Sequence, residues 1–268
     1  MLESNTSQSL CVFCGSRADS KEHVFAKSVC ERAGDINYPV TAGLSVEGKE
    51  NLIRNPRPMP IQALTVRCVC KPCNNLWMSK LETWFISRLG SLIDLQWPQD
   101  ALNVIEALKP ERTTLAHWLI KTAVTYSNTT LECSHPVEFS FAVTQKIKDG
   151  IVPENCWVDL AYSKAKTFGA GITRHFYVKN GARPVQNFPL KNGDGFSFVV
   201  QLNHLLLRIA QAPHVGEFIY PNQNGEIPVR LYPTPSPQMP ENYEYDDMMN
   251  FQSSIILKTW AGCREGQN

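Results

Sequence analysis

A chain of 268 residues with 43% hydrophobic and 19% charged content is long enough to bury a sizeable core, as one large domain or two small ones. Its formal charge of +1 excludes a field that would hold a polyanion over the whole surface, so phosphate binding would need local basic patches. No apolar run approaches the roughly 20 residues that span a bilayer. Nine cysteines are too few, and odd in number, for a disulfide scaffold at this length.

Residues 1–10 are polar, and a frayed start is expected. The opening MLESNTSQSL has neither the basic region nor the apolar core of a signal peptide. A reducing cytoplasm is therefore the expected location, and there paired Cys-x-x-Cys spacings favour metal over disulfide. Cys11-Val-Phe-Cys14 forms a first knuckle, followed by Gly15 for an unusual backbone angle. Ser20 to Phe25 reads as a short strand or strand end carrying Glu22 and His23. Val24, Phe25, Val29 and Cys30 suggest a brief helix ending near Gly34.

Residues 35–60 hold glycines and the run Asn55-Pro-Arg-Pro-Met-Pro60, and read as an irregular insertion. Ala63 to Cys68 should be a strand returning to the second knuckle, Cys70-Lys-Pro-Cys73. The clearest helix runs from about Asn74 to Ile93, with Asn74 or Asn75 as its N-cap. Trp77, Leu81, Trp84, Phe85, Arg88, Leu89 and Leu92 give it one stripe at three- and four-residue intervals, which leaves Lys80, Glu82 and Ser87 off that stripe. A second helical pattern covers Glu111 to about Tyr126.

After about residue 135 the texture turns β-like. Val137–Val143, Trp157–Tyr162 and Ile172–Val178 read as strands, and Phe196–Leu202 with Leu205–Ala210 as a hairpin. Phe218–Tyr220 and Ile227–Tyr232 flank the turn signal Asn222-Gln-Asn-Gly225. Pro233 to Pro240 is a proline-rich link, and Met248–Trp260 is a helix or strand packed back on the body. The chain divides into a module over 1–95, a helical connector over 96–135 and a β-rich region over 136–268.

Two Cys-x-x-Cys pairs supply four thiolates, the ligand count of a closed tetrahedral zinc site. Cys11, Cys14, Cys70 and Cys73 are the expected ligands, with Cys68 an alternative to Cys70 because Cys68-Val-Cys70 offers both. A closed site leaves no position for water, so this zinc would be a staple. Between the pairs stands Glu22-His23. Imidazole accepts a proton near neutral pH, and a carboxylate can bind a hard cation. Adjacent residues of a strand point opposite ways, and taken alone such a pair would be an exposed carboxylate beside a buried histidine. His117, His135, His175, His204 and His214 show no ligand spacing. Residues 1–90 carry eleven Lys/Arg against eight Asp/Glu, a slight excess compatible with nucleic acid. Lys21, Lys27, Arg54, Arg57, Arg67, Lys71 and Lys80 supply most of it.

Cys11-x-x-Cys14, Ser20-Lys-Glu-His-Val-Phe25 and Val69-Cys-Lys-Pro-Cys-Asn-Asn-Leu-Trp-Met-Ser-Lys-Leu-Glu82 together resemble the zinc-knuckle branch of the HNH endonucleases, enzymes of the ββα-metal fold. The resemblance covers roughly residues 9–90, and Leu115–Ala123 is similar to a helix that often follows the motif. It implies that His23 is the general base, that Glu22 and Asn74 (or Asn75) ligate one catalytic Mg²⁺ or Mn²⁺, and that the zinc is structural. Two departures stand out. The asparagine that orients the base in the family is replaced here by Thr65, with Gln62 nearby, and a frequent proline is Ala26. Glu82 fits the branch's pattern as a group behind the ligands or reaching the metal, and reads equally as an exposed helix carboxylate or a salt-bridge partner.

The resulting expectation is an α+β protein: a zinc-stapled ββα-metal module, then helices and a mainly antiparallel β-rich region. Its expected activity is metal-dependent hydrolysis of phosphodiester bonds in DNA, in defence against phage, a mobile element or repair. The alternatives are a non-catalytic zinc-finger-like module that binds nucleic acid or protein, and a defence effector activated by a ligand or partner at its C-terminal half.

Overall fold

The computed structural model describes residues 9–34, 37–39, 43–46, 49–52, 58–60, 63–95, 102–129, 137–175, 195–211, 216–219, 228–235, 243–246, 248, 251 and 256–259. Expectations at Asn222–Gly225, Gln62, His135, His214 and most of the proline-rich link lie outside these residues.

The N-terminal third is built on a two-stranded ladder. Ser20–His23 (β1) is followed by the helix Lys27–Ala33 (α1), which stops at Gly34, where φ is 94°. The stretch expected to be irregular contains paired strands. Asn37–Pro39 (β2) runs antiparallel to Pro58–Pro60 (β5), and Gly43–Val46 (β3) to Lys49–Leu52 (β4). Three-residue ladders tolerate proline because few backbone donors are needed, and proline content alone argues too strongly against pairing. Thr65–Val69 (β6) then returns antiparallel to β1, with a bulge in the register between Ser20 and Glu22.

The helix after the second knuckle begins earlier than expected. Lys71–Cys73 (α2) passes through a π turn at Asn74–Met78 into Ser79–Asp94 (α3). Neither Asn74 nor Asn75 is its N-cap. Asp19 reaches across from the chain before β1 and accepts the Lys71 amide at 2.8 Å, satisfying a donor that the helix start leaves open. Of the expected stripe Leu81, Phe85, Leu89 and Leu92 are buried, Trp77 and Trp84 half-buried and Arg88 exposed, while Ile93 is buried beside them.

Leu102–Leu108 (α4) leads through a short 3-10 turn to Arg112–Ser127 (α5). This helix is buried all round from Trp118 through Thr125. Its threonines remain satisfied because Thr122 and Thr125 donate to carbonyls one turn back, at 2.8 and 2.9 Å. Phe85 stacks on Trp118 at 3.6 Å between centroids, joining α3 to α5.

The pattern over residues 137–143 predicts a strand, but Phe141–Lys148 is a helix (α6). The alternation Val137, Phe139, Phe141 reflects an extended entry running into a first turn. The long strand Cys156–His175 (β7) pairs antiparallel with Gly195–Gln211 (β8). The hairpin expected inside β8 does not form. Asn203 takes φ of 58° and bends the strand opposite the extra β7 residues between Tyr162 and Thr167, so the chain kinks without reversing. Nor do the strands around residue 220 pair with each other. Gly216–Ile219 (β9) pairs with Ile256–Thr259 (β12), whereas Val229–Tyr232 (β10) lies antiparallel to β7 and Glu244–Tyr245 (β11) parallel to it.

The result is an α+β protein with mainly antiparallel sheets. One face of β8 (Phe198, Val200, Leu202, Leu205, Leu207) joins the core shared with α3, α5 and the knuckles, and the other (Val199, Leu206) packs with Ala161, Tyr245 and Phe251. Within the sheet, fully buried Asp159 accepts from Arg208 at 2.8 Å and from Arg230 at 2.7 Å. Among the described residues no helix is long and apolar enough to cross a membrane.

Candidate metal centre and adjoining polar cluster

The first knuckle is folded by its own backbone. The Cys11 amide donates to Ser16 O at 2.6 Å and the Gly15 amide to Cys11 O at 2.9 Å, with Gly15 at φ of 73°. Val12 N donates to Cys68 O at 2.9 Å, fastening the knuckle to β6. The ligand atoms of Cys11, Cys14, Cys70 and Cys73 consequently lie within 4.8 Å of one another, with the Cys14 and Cys70 sulfurs 3.4 Å apart. A tetrahedron of ~2.3 Å bonds would separate the sulfurs by about 3.8 Å, so the four fit zinc with small adjustment. Cys68 is buried but stands outside the group, which resolves the choice in favour of Cys70.

Burial pushes the Cys70 and Cys73 thiols up, and for Cys73 the half-buried Trp77 indole offsets part of the rise. Burial also acts on Cys14, but hydrogen bonds from Ser16, and then from Cys70 and Cys11, outweigh it and bring that thiol down to about 6. Cys68 is pushed up to about 12 by burial, as expected of an inert core thiol. Trp77 lies between the knuckle and α5: it meets Phe13 edge-on at 5.0 Å and stacks on His117 at 5.4 Å, 2° from parallel. His117 is thus part of the packing, its pKa lowered first by burial.

The second cluster lies where β1 meets the helix start. The pair Glu22-His23 is the reverse of the expectation: Glu22 is 8% exposed and His23 is exposed. Strand alternation holds, but the inward place goes to the carboxylate because polar partners await it there. Asn74 donates to Ser20 Oγ at 2.8 Å, two residues before Glu22 on the same strand. Burial raises Glu22 to about 7, with Lys121 pulling it down, Glu82 pushing it up and the Asn74 bond pulling it down.

Glu82, expected off the buried stripe, faces this cluster. Positions eight apart lie about 80° apart on an uninterrupted α-helix, but a π turn takes up one extra residue. Glu82 therefore returns nearly to the azimuth of Asn74. Its Oε1 accepts from the Lys121 ammonium, and its buried Oε2 has no hydrogen-bond partner. Lys121 on α5 is fully buried and escapes a sequence reading, although a lone charge in the run Leu115–Ala123 signals a paired interior group. Asn75 is exposed and takes no part in the inward cluster. Thr65 is the cross-strand partner of His23 in the ladder.

Glu22 and Asn74 offer the hard oxygen donors that suit Mg²⁺ or Mn²⁺. Asn74 directs its amide nitrogen to Ser20, and a half-turn of the amide would present its oxygen. The donor set fits a divalent cation on that condition. A shallow cleft elsewhere, lined by Ser87, Arg88, Asn103, Val104, Ala107 and Leu108, contains no carboxylate, thiol or imidazole. Compared with family models, curated proteins and solved structures, the chain matches none.

Proposed function

We propose that the protein is an endonuclease that hydrolyses phosphodiester bonds in DNA with a divalent cation, its active region stapled by a zinc on Cys11, Cys14, Cys70 and Cys73. The observation that carries this reading is the bond of 2.8 Å from Asn74, on the helix following β6, to Ser20 on β1, which brings that helix start to the strand carrying the buried Glu22 and the exposed His23. That is the order of parts in the HNH resemblance. Glu22 and Asn74 would hold Mg²⁺ or Mn²⁺, which supplies Lewis-acid stabilisation of the charge developing on the phosphate and the leaving oxygen. His23, on the solvent side, is placed to accept the proton of the attacking water. Thr65, directly across the ladder, lies within side-chain reach to orient that imidazole. Lys21 and Arg67, exposed on the same two strands, give the substrate's phosphates a local cationic surface. The preference for DNA rests on the resemblance.

A non-catalytic zinc module is the rival reading, favoured by the hydrogen bond with which Asn74 already serves Ser20. Incubation of the purified protein with supercoiled plasmid and Mn²⁺ separates the two. The nuclease reading expects nicking by the parent and a loss of about 10²-fold or more in His23→Ala, whereas binding without cleavage under either cation supports the module. An effector controlled through its C-terminal half is tested by adding cell extract to the full chain. Truncation after residue 135 would instead strip β7 and β8 from α3 and α5.

A further inference from the structure

The four sulfurs of the thiolate group are not equivalent. Cys11, Cys70 and Cys73 are buried, whereas Cys14, at the end of the first knuckle, is half-buried and within reach of small solutes. In a group whose ligand atoms lie within 4.8 Å of one another, the Cys14 and Cys70 sulfurs approach to 3.4 Å. The reachable thiol therefore faces a thiol of the other knuckle. Backbone bonds set that pairing. The Val12 amide donates to Cys68 O at 2.9 Å, two residues before Cys14 on one side and two before Cys70 on the other. The Lys71 amide, directly after Cys70, donates to Asp19 at 2.8 Å, and the Thr144 hydroxyl of α6 donates to Val12 O. None of these bonds passes through a sulfur, so they hold Cys14 opposite Cys70 whether or not a metal joins them.

We infer that Cys14 and Cys70 are a redox pair through which the staple changes its chemistry: zinc joins the knuckles while the thiols are reduced, and a disulfide between Cys14 and Cys70 joins them after oxidation by a hydroperoxide. The inference rests on the zinc proposed above and not on the nuclease activity. The Cys14 thiolate attacks a peroxide oxygen and becomes a sulfenic acid, with hydroxide leaving. The Cys70 thiolate then attacks the Cys14 sulfur, forming the S–S bond and expelling a second hydroxide. Two thiolates have given up two electrons, the peroxide has become two waters after taking up two protons, and the zinc, left with two ligands, departs. A disulfide inside either Cys-x-x-Cys pair would close only its own turn and leave the knuckles untied. The bridge from 14 to 70 instead keeps the strand that carries Ser20 against the helix start that carries Asn74.

The test uses the zinc-loaded full chain, with Cys68→Ser beside it so that the neighbouring Cys68 thiol cannot exchange into the bridge. Hydrogen peroxide is added in steps, and released zinc is read with a chromogenic chelator. Remaining thiols are alkylated, and bridges are mapped by mass spectrometry of unreduced peptides. One zinc should leave for each bridge formed, Cys14–Cys70 should be the predominant bridge in both proteins, and dithiothreitol with zinc should restore the starting form. The oxidised, zinc-free chain should melt roughly 10 °C above the reduced, zinc-free chain, because the bridge constrains the unfolded state.

Bridges that fall mainly at Cys11–Cys14, at Cys70–Cys73 or on Cys68 would overturn the inference. So would oxidation of Cys14 to the sulfinic acid without a bridge, zinc retained at peroxide levels that oxidise free cysteine, or an oxidised chain that melts no higher than the reduced, zinc-free one. A reduced chain that binds no zinc refutes the zinc staple, and the exchange with it. A chain that binds zinc but bridges otherwise refutes only the exchange.

Discussion

The Asn74 side-chain amide lies 2.8 Å from the Ser20 hydroxyl, across 54 residues of sequence. This bond closes the angle between the first strand and the helix after the second knuckle, and it holds the helix against the face of β1 that carries Glu22. The thiolate cluster lies beside the same junction: Asn74 directly follows Cys73, and Ser20 follows the first knuckle by six residues. Loss of either tether should therefore be felt at the other.

The metal tether is the stronger of the two. Structural zinc sites of this type contribute on the order of 10 kcal/mol of apparent binding energy at neutral pH. Cys73→Ser should lose its zinc and melt at least roughly 10 °C lower than the parent. Cys68→Ser should keep one zinc per chain, because Cys68 stands outside the four-sulfur group. Metal analysis by mass spectrometry beside thermal melts checks both, and an excess of chelator should reproduce the Cys73→Ser melt.

Glu22 makes stability depend on pH. Its folded pKa is raised to about 7 by burial, from an ordinary value of 4.5, so between those two values the folded state holds a proton that the unfolded chain has released. Stability measured without divalent cations should accordingly fall as pH rises through this window and level off above it, by on the order of 3 kcal/mol. Glu22→Gln should flatten that slope in urea titrations. Added Mn²⁺ should also flatten it in the parent, because a cation favours the ionised carboxylate.

His23 is exposed, so its replacement should separate activity from folding. His23→Ala should change the unfolding free energy by less than about 1 kcal/mol while removing about 10²-fold or more of the cleavage rate. Thr65→Val, which keeps the shape of its side chain, should lower the rate by a smaller factor and leave the urea midpoint close to that of the parent.

Asp159 anchors the C-terminal sheet. It faces Arg208 and Arg230, and Arg208 also donates to Phe251 O at 2.7 Å and packs its guanidinium over the Phe251 ring at 4.4 Å. Asp159→Ala would leave the Arg208 charge buried without its carboxylate, at a cost of about 3–5 kcal/mol. Circular dichroism in urea should show this as a lowered midpoint, with zinc content unchanged.

How much of this is legible beforehand depends on where the stabilising partner lies in the sequence. The four cysteines announce themselves by spacing, and Leu81, Phe85, Leu89 and Leu92 by a helical period, because ligand and partner repeat locally. Glu22 and His23 exchange the exposures that local sequence implies, because the groups that favour Glu22 inside (Asn74, Lys121) are supplied by two distant helices. The π turn carries no local signature, and without it Glu82 falls on the wrong side of the helix. In the C-terminal half, Asn203-His204 looks like a reversal in an apolar stretch. Only the β7 partner strand, with its extra residues between Tyr162 and Thr167, turns that point into a bend.

The central claim is that a sulfur-bound metal and a separate oxygen-bound cation occupy two neighbouring places in one stapled unit. Crystals grown with Mn²⁺ and measured at the zinc and manganese absorption edges test it directly. The account predicts a zinc peak about 2.3 Å from each of Cys11, Cys14, Cys70 and Cys73, and a manganese peak contacting Glu22 and Asn74. A manganese map with no peak at that pair, or a zinc bound through Cys68 in place of Cys70, would contradict it.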